Sequence, residues 1–396
     1  MANPKPLLNE FPWNPRYRIS NTHNILTPAL IVYPDLIAAN IDRTVQLLNG
    51  DPTRWRVHIK TAKLGYTLQM FVERGVRNFK CATTLELLVA CQSGATDVLL
   101  AYPVMGANAR RVQEIATQFP NVRISALAEN EAQLPQWRGT KIGIFVDLNS
   151  GMNRTGIEQN HSDEVLALAR AIRDHGLEFR GLHFYDGHLG GMPEPERTRV
   201  AHAGYDSLMK IVAALESSGI AVPEVITAGT PGMPCSLSYA PFRSGHFTHR
   251  LSPGTVVYND ASSLVELPND GYVPAVLVLT RVVSHPRPGI ITCDAGHKTV
   301  SADVGIPTCI VVGHPELTPL SPSEEHLPIS VKDGSSSPQT GETLFLLPRH
   351  ICPTVNNFDA AVLVRDGQIL SVESVSARGR EAPLLRQTEQ GVPVTR

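Results

Sequence analysis

The chain has no C-x-x-C pair among its six cysteines, Cys81, Cys91, Cys235, Cys293, Cys309 and Cys352. Their irregular spacing suits reduced thiols in the cytoplasm better than a disulfide framework. No apolar run reaches the roughly 18–20 residues that span a bilayer. The start, Met1-Ala2-Asn3-Pro4-Lys5, lacks an apolar core of signal-peptide type. An excess of either charge is missing too: 35 Lys and Arg stand against 37 Asp and Glu, for a net −2. That balance gives no footing for a nucleic-acid or membrane-surface partner. No internal repeat is visible. What remains is an intracellular chain of 396 residues, 42% hydrophobic, with enough length for one large core or two.

The order of elements predicts the fold. Residues 1–25 are polar, rich in Pro and Asn, and read as an arm. Thr27–Tyr33 reads as a strand, and residues 35–48 carry apolar positions at helical period. Strands are then expected near 57–60, 78–82, 97–101, 122–126, 142–147, 180–184, 224–228 and 250–257. Helical patterns at 67–75, 84–94, 107–118, 129–137, 160–175 and 196–218 lie between most of them. Eight strands alternating with helices is the pattern of an α/β fold, a (β/α)8 TIM barrel. A doubly wound open sheet normally carries its Gly-rich loop after the first strand, and here that loop follows the seventh. Beyond about residue 262 the pattern becomes β-rich: a long apolar run at Val273–Ser284, then pieces at 289–293, 306–312, 342–347, 360–364 and 368–374. We therefore expect a barrel over 26–262 and a second, mainly β domain over 263–380 that includes the arm. Leu317–Glu325 and Asp333–Gly341 read as Pro/Ser-rich loops, and the tail after Arg380 as mobile.

In such a barrel the carboxyl ends of the strands share one mouth, where chemistry is placed. The first strand is expected to end at Lys60, in Arg56-Val57-His58-Ile59-Lys60-Thr61-Ala62-Lys63. A lysine held there, partly out of water, loses its proton near neutral pH and can form a Schiff base. The small residues of Thr227-Ala228-Gly229-Thr230-Pro231-Gly232 would let backbone N–H groups approach a phosphate, and Gly254 in the next loop would complete the cradle. Lysine and cradle together imply pyridoxal phosphate, with Lys60, Gly229, Thr230, Gly232 and Gly254 binding it. Arg154, in the loop after Asp147, can hold the cofactor's phenolate oxygen or a substrate carboxylate, or pair with Asp147 to brace the loop. After the sixth strand, Tyr185 can contact the ring and His188 can act as a general base. In an extended Pro348–Asn356, His350 and Cys352 would lie on one face and share a metal ion; the alternative is that they only pack.

These residues together resemble the fold-type III pyridoxal-phosphate enzymes, the alanine-racemase-like barrels, in the branch of D-threonine aldolase, 3-hydroxyaspartate aldolase and eukaryotic-type D-serine dehydratase. The resemblance rests on His58-Ile59-Lys60-Thr61, Gly151–Gly156, the loop at 229–232, Pro253-Gly254, Cys293–Lys298, Ser323–His326 and His350-Ile351-Cys352, and runs from about residue 25 to Arg380. It departs from the usual R-P-H-x-K-T-H-K at Val57 and Ala62. The resemblance implies a Schiff base at Lys60 and a divalent metal (Zn, Mn or Mg) at His350 and Cys352. It also implies a homodimer and a small D-amino acid as substrate. The H-x-C pair resembles the dehydratases, and Tyr185-Asp186-Gly187-His188 resembles the aldolases. A base aimed at the β-hydroxyl decides which bond breaks. The expected function is therefore metal-assisted retro-aldol cleavage of D-3-hydroxy amino acids, with catalytic residues Lys60 and His188. The alternatives are a D-serine dehydratase-like ammonia-lyase and, further off, a racemase or non-catalytic cofactor carrier.

Overall fold

The computed structural model describes residues 8–385. Two nine-stranded sheets divide it. The first is the barrel. Its eight main strands are β2 (Arg56–His58), β3 (Asn78–Cys81), β4 (Asp97–Leu100), β5 (Arg123–Ala128), β6 (Gly143–Asn149), β8 (Phe179–Phe184), β9 (Glu224–Thr227) and β10 (Thr248–Leu251). A two-residue strand, β7 (Ile157–Glu158), adds to β6. All neighbours are parallel, and one parallel bridge, Trp55 to Leu251, joins the first strand to the last. Helices α2 (Gly65–Glu73), α3 (Thr84–Gln92), α4 (Ala107–Gln118), α5 (Ser162–Asp174) and α6 (Glu196–Ser217) cover the outside. The helix expected at 129–137 is instead two 3-10 turns, Glu131–Gln133 and Pro135–Trp137. Pro135 lacks the N–H that would continue the first turn into an α-helix. The strand expected at 250–257 ends at Leu251, and Thr255–Val257 forms another 3-10 turn.

The barrel interior is filled in three layers of side chains. At the amino-terminal end Arg56, Asp97, Arg180 and Glu224 form a buried ionic layer: Arg56 holds Asp97 at 2.8 Å and Glu224 at 2.7 Å, and Arg180 holds Asp97 at 2.7 Å. A register shift in the pairing of β6 with β8 turns Arg180 inward to do so. The middle layer is apolar, with Leu99, Leu127, Phe145 and Ile226. The layer nearest the mouth is polar again: His58, Lys80, Asp147 and His183, all buried. The functional site stands on this layer.

The second sheet runs β14 (Leu317–Pro319), β15 (Leu327–Val331), β12 (Ile290–Cys293), β11 (Val276–Arg287), β1 (Ala29–Val32), β17 (Ala360–Arg365) and β18 (Gln368–Ser374), with β16 (Thr343–Pro348) and β13 (Cys309–Val311) added through β11. The early strand that the sequence grouped with the barrel belongs here. β1 pairs β11 on one side and β17 on the other, and α1 (Pro34–Leu47) then carries the chain to the barrel. β14 falls where a loop was expected, and β15 lies in a stretch for which no strand was expected. Leu327, Ile329 and Val331 alternate as a strand should, but Pro328 among them speaks against one in the sequence. Among the described residues no helix is long and apolar enough to cross a membrane. The tail expected to be mobile lies, from residue 386, outside the described residues, as do residues 1–7 of the arm.

Candidate active site

Lys60 lies two residues beyond the end of β2, in a turn, and not at the last strand position. Its own N–H donates to His58 Nδ1 at 3.3 Å. The nearby Lys63 is committed elsewhere: its buried ammonium donates to Glu86 at 2.7 Å and to the Ala377 carbonyl at 3.1 Å. Lys60 instead faces the Tyr185 ring, with Nζ 5.7 Å from the ring centre. Two more cations face the same ring, Lys80 Nζ at 5.2 Å and the Arg154 guanidinium at 5.2 Å. Glycine makes room for that ring. A Cβ on Gly187 would sit 2.6 Å from it, and one on Gly229 would sit 3.0 Å away.

The expectation of a lysine that loses its proton near neutrality falls on a different residue. The Lys60 ammonium is raised, by the Tyr185 phenol foremost and with Cys352 adding, against burial. Burial pushes the Lys80 ammonium down to about 7, and the Lys60 charge adds to the effect against Asp186 and Asp147. Lys80 reaches His183 Nε2 at 3.3 Å, and His183 Nδ1 meets Asp147 at 2.7 Å. The sequence reading missed Lys80. The available signal was a lysine in the middle of a short buried strand, in register with His58.

Arg154 is not braced by Asp147, whose partners are His183 and the Thr155 hydroxyl at 2.8 Å. Among the described residues Arg154 makes no ion pair. Its loop is held by Asn149, whose side-chain oxygen accepts from the N–H groups of Gly151 and Asn153 at 3.1 and 3.0 Å. Arg154, Asp147, His183, Tyr185, Ser150 and Met152 line a pocket at the barrel mouth.

The loop after β9 has a different internal logic from the one expected. The Gly229 N–H donates to the buried Asp186 carboxylate at 2.8 Å and is not free for a phosphate. A Cβ on Gly232 would lie 2.5 Å from that carboxylate, so both glycines fit the loop to Asp186. Tyr205 donates to the same group at 2.7 Å. Thr230 differs: its hydroxyl is buried without a partner, as a group awaiting an acceptor would be. Gly254 lets the loop after β10 approach β2, since a Cβ there would collide with the His58 carbonyl. His188 sits in a 3-10 turn, Gly187–Leu189, facing Gly151, with Nδ1 buried and unpartnered. Burial lowers its pKa, against Asp186, and favours the neutral base.

His350 and Cys352 do not lie in an extended segment. His350 is the N-cap of α10 (Ile351–Asn356). The two nevertheless meet. Burial would raise the Cys352 thiol, but the charge and hydrogen bond of His350, with the Lys60 charge and Thr255, bring it down to about 6. The Cys352 sulfur is 2.9 Å from the Thr61 hydroxyl and 3.5 Å from that of Thr255. His350 Nδ1 is 2.6 Å from Asp303 Oδ2, which orients the imidazole. A thiol poised to ionise beside an imidazole suits a metal with open positions, although among the described residues no three His, Cys, Asp or Glu form a metal cluster. The Cys293–Lys298 and Ser323–His326 stretches brace each other through backbone bonds, such as His297 N–H to the Ser323 carbonyl at 2.9 Å.

Comparison with known proteins agrees with this layout. The profile of the alanine racemase N-terminal domain matches residues 32–261, and that of a putative serine dehydratase domain matches 275–364. D-threonine aldolase of Arthrobacter sp. is 28% identical over 89% of this chain and 93% of its own. The 3-hydroxy-D-aspartate aldolase of Paracoccus denitrificans (strain Pd 1222) is 29% identical over 90% and 93%. The crystal structure of D-threonine aldolase from Filomicrobium marinum superposes with a TM-score of 0.82 at 27% identity, over 89% of this chain and 96% of that one. With the alanine racemase profile covering more than half of its length, the chain belongs to the alanine-racemase-like, fold-type III pyridoxal-phosphate enzymes, and it is D-threonine aldolase-like over 89% of its length.

Proposed function

We propose that the protein is a metal-assisted lyase that cleaves D-3-hydroxy amino acids into glycine and an aldehyde. The observation that carries this reading is the contact of Thr61, the neighbour of Lys60, with Cys352. It brings the β domain's ligand pair to the lysine that would bond the cofactor. Lys60 would hold pyridoxal phosphate covalently, Thr230 and the Gly254 loop its phosphate, Arg154 its phenolate oxygen and Tyr185 its ring. When bound, the cofactor supplies a sink for the electron pair left at Cα. His350 and Cys352 would hold a divalent ion, whose chemistry is to acidify a bound hydroxyl.

This chain's own residues do the rest. Arg154 and the polar layer of Lys80, His183 and Asp147 fix charge around the ring. His188, neutral and unpartnered at Nδ1, takes the β-hydroxyl proton as the Cα–Cβ bond breaks to release the aldehyde, and a proton delivered to Cα completes glycine. The cysteine in the metal pair and the serine dehydratase profile over 275–364 favour a second reading, elimination of the hydroxyl to give a keto acid and ammonia. An apolar edge on β18, with Ile369, Leu370 and Val372 exposed, supports a homodimer. The test is metal removal: a chelator should stop aldehyde release from D-threonine without bleaching the protein, and added Mn or Zn should restore it. Aldehyde release that ignores the chelator rejects the metal-assisted reading.

A further inference from the structure

Lys80 is the buried lysine of the polar layer inside the barrel. It is 2% exposed, on the second strand of the barrel. The cations of the lower layer sit directly on carboxylates, Arg56 on Asp97 and Glu224 and Arg180 on Asp97. Lys80 has no such contact among the described residues. Its partner is an imidazole, and the carboxylate stands one step further back. Because His183 Nδ1–H donates to Asp147, its Nε2 is an acceptor, and Lys80 donates to it. A buried lysine held in this indirect way is costly, so a structural role alone does not account for it.

Its surroundings say what the charge acts on. Lys80 Nζ and Lys60 Nζ face one Tyr185 ring, at 5.2 and 5.7 Å, with Arg154 at the same ring. Around Lys80 stand His58 and Arg56 from β2, Asp147 from β6, His183 from β8, and Lys60, Tyr185 and Asp186 from the loops above. We propose that Lys80 is a positioning residue for the cofactor-bearing lysine: its charge, seated on the His183–Asp147 pair, lowers the proton affinity of the nitrogen that bonds the cofactor at Lys60. A cation nearby disfavours a second one, by the same physics that activates paired lysines elsewhere. The depression of Lys80 itself to about 7 is the reciprocal of that repulsion added to burial. A cofactor-bearing nitrogen kept neutral in this way is ready to take the proton of an incoming amine and exchange partners with it.

The proposal rests on Lys60 bearing the cofactor, and one experiment separates the two claims. The metal-saturated holoenzyme is titrated by its visible absorbance, in wild type and in Lys80→Gln, Lys80→Met and Lys80→Arg. The band of the Lys60-bound cofactor should change form at a pH higher by on the order of one unit in the two neutral variants. Lys80→Arg should stay close to wild type, which a packing defect would not produce. An unmoved transition in a neutral variant that keeps the band overturns the proposal, as does Lys80→Arg behaving like Lys80→Met. Folded neutral variants that hold no cofactor also overturn it, because Lys80 would then be needed for binding. Absence of the band in wild type instead overturns the assignment of Lys60.

Discussion

The hydroxyl of Thr61 lies 2.9 Å from the sulfur of Cys352, 291 positions away in the chain. One residue separates the candidate cofactor lysine from the candidate metal thiolate. The segment that follows β2 and the helix that follows β16 therefore meet beside Lys60 within one chain.

The commitment of Lys63 to Glu86 and the Ala377 carbonyl leaves Lys60 as the lysine that faces the mouth. Borohydride reduction of the yellow protein, followed by peptide mass spectrometry, should find the pyridoxyl group on Lys60. Lys63→Ala should keep that label and lose stability, by about 3–5 kcal/mol, because Glu86 stays buried without its partner. A label on Lys63 would contradict the geometry.

Asp303 fixes the tautomer of His350. Asp303→Asn should weaken divalent-metal binding, measured by calorimetry, by about 10- to 100-fold. His350→Ala should cost more and lower metal-dependent turnover on the order of a hundredfold or more. Both variants should remain yellow, since neither touches Lys60. Unchanged affinity in Asp303→Asn would remove Asp303 from the account.

The ionic layer at the closed end of the barrel is a stability element. Arg56→Met leaves Asp97 and Glu224 buried with less cation, and should cost about 3–5 kcal/mol in denaturant unfolding. Burial raises the Asp97 carboxyl, but Arg56 and Arg180 outweigh it and hold the group well below the usual range. Its contribution is fully present above the unfolded value of about 3.9 and is lost as pH falls through the folded one. Wild type should therefore lose stability on acidification below about pH 4 more steeply than Arg56→Met. Parallel curves would contradict this.

His188 works as a base only when neutral, and its burial lowers its pKa below the ordinary imidazole value of about 6.5. Turnover should be level just above neutrality and fall only as pH drops through that lowered value. His188→Gln should remove this limb and reduce kcat by about 10²–10⁴. A limb that persists in the variant would assign it to another group.

The barrel and the mouth were legible because strand ends leave marks. Lys60, Arg154, Tyr185 and the small residues at 229–232 all follow apolar runs of strand length. What escaped depended on partners distant in sequence. β1 reads like a barrel strand, and its pairing with β11 and β17, some 250 to 330 residues on, has no local signature. Gly229 and Gly232 looked like a phosphate cradle, but Asp186 is their reason, and only the folded loop shows that carboxylate beneath them. Lys80 was hidden because the middle of a buried strand is where a charge is least expected. The turn that makes His350 a helix cap gave no warning in Pro348–Asn356.

Incubation with D-threonine, with every product identified, tests the central claim most directly. The account predicts glycine and acetaldehyde in equal amounts, from the D and not the L isomer, only while the metal is present. Formation of 2-oxobutyrate and ammonia would contradict it and make the protein a dehydratase on the same scaffold.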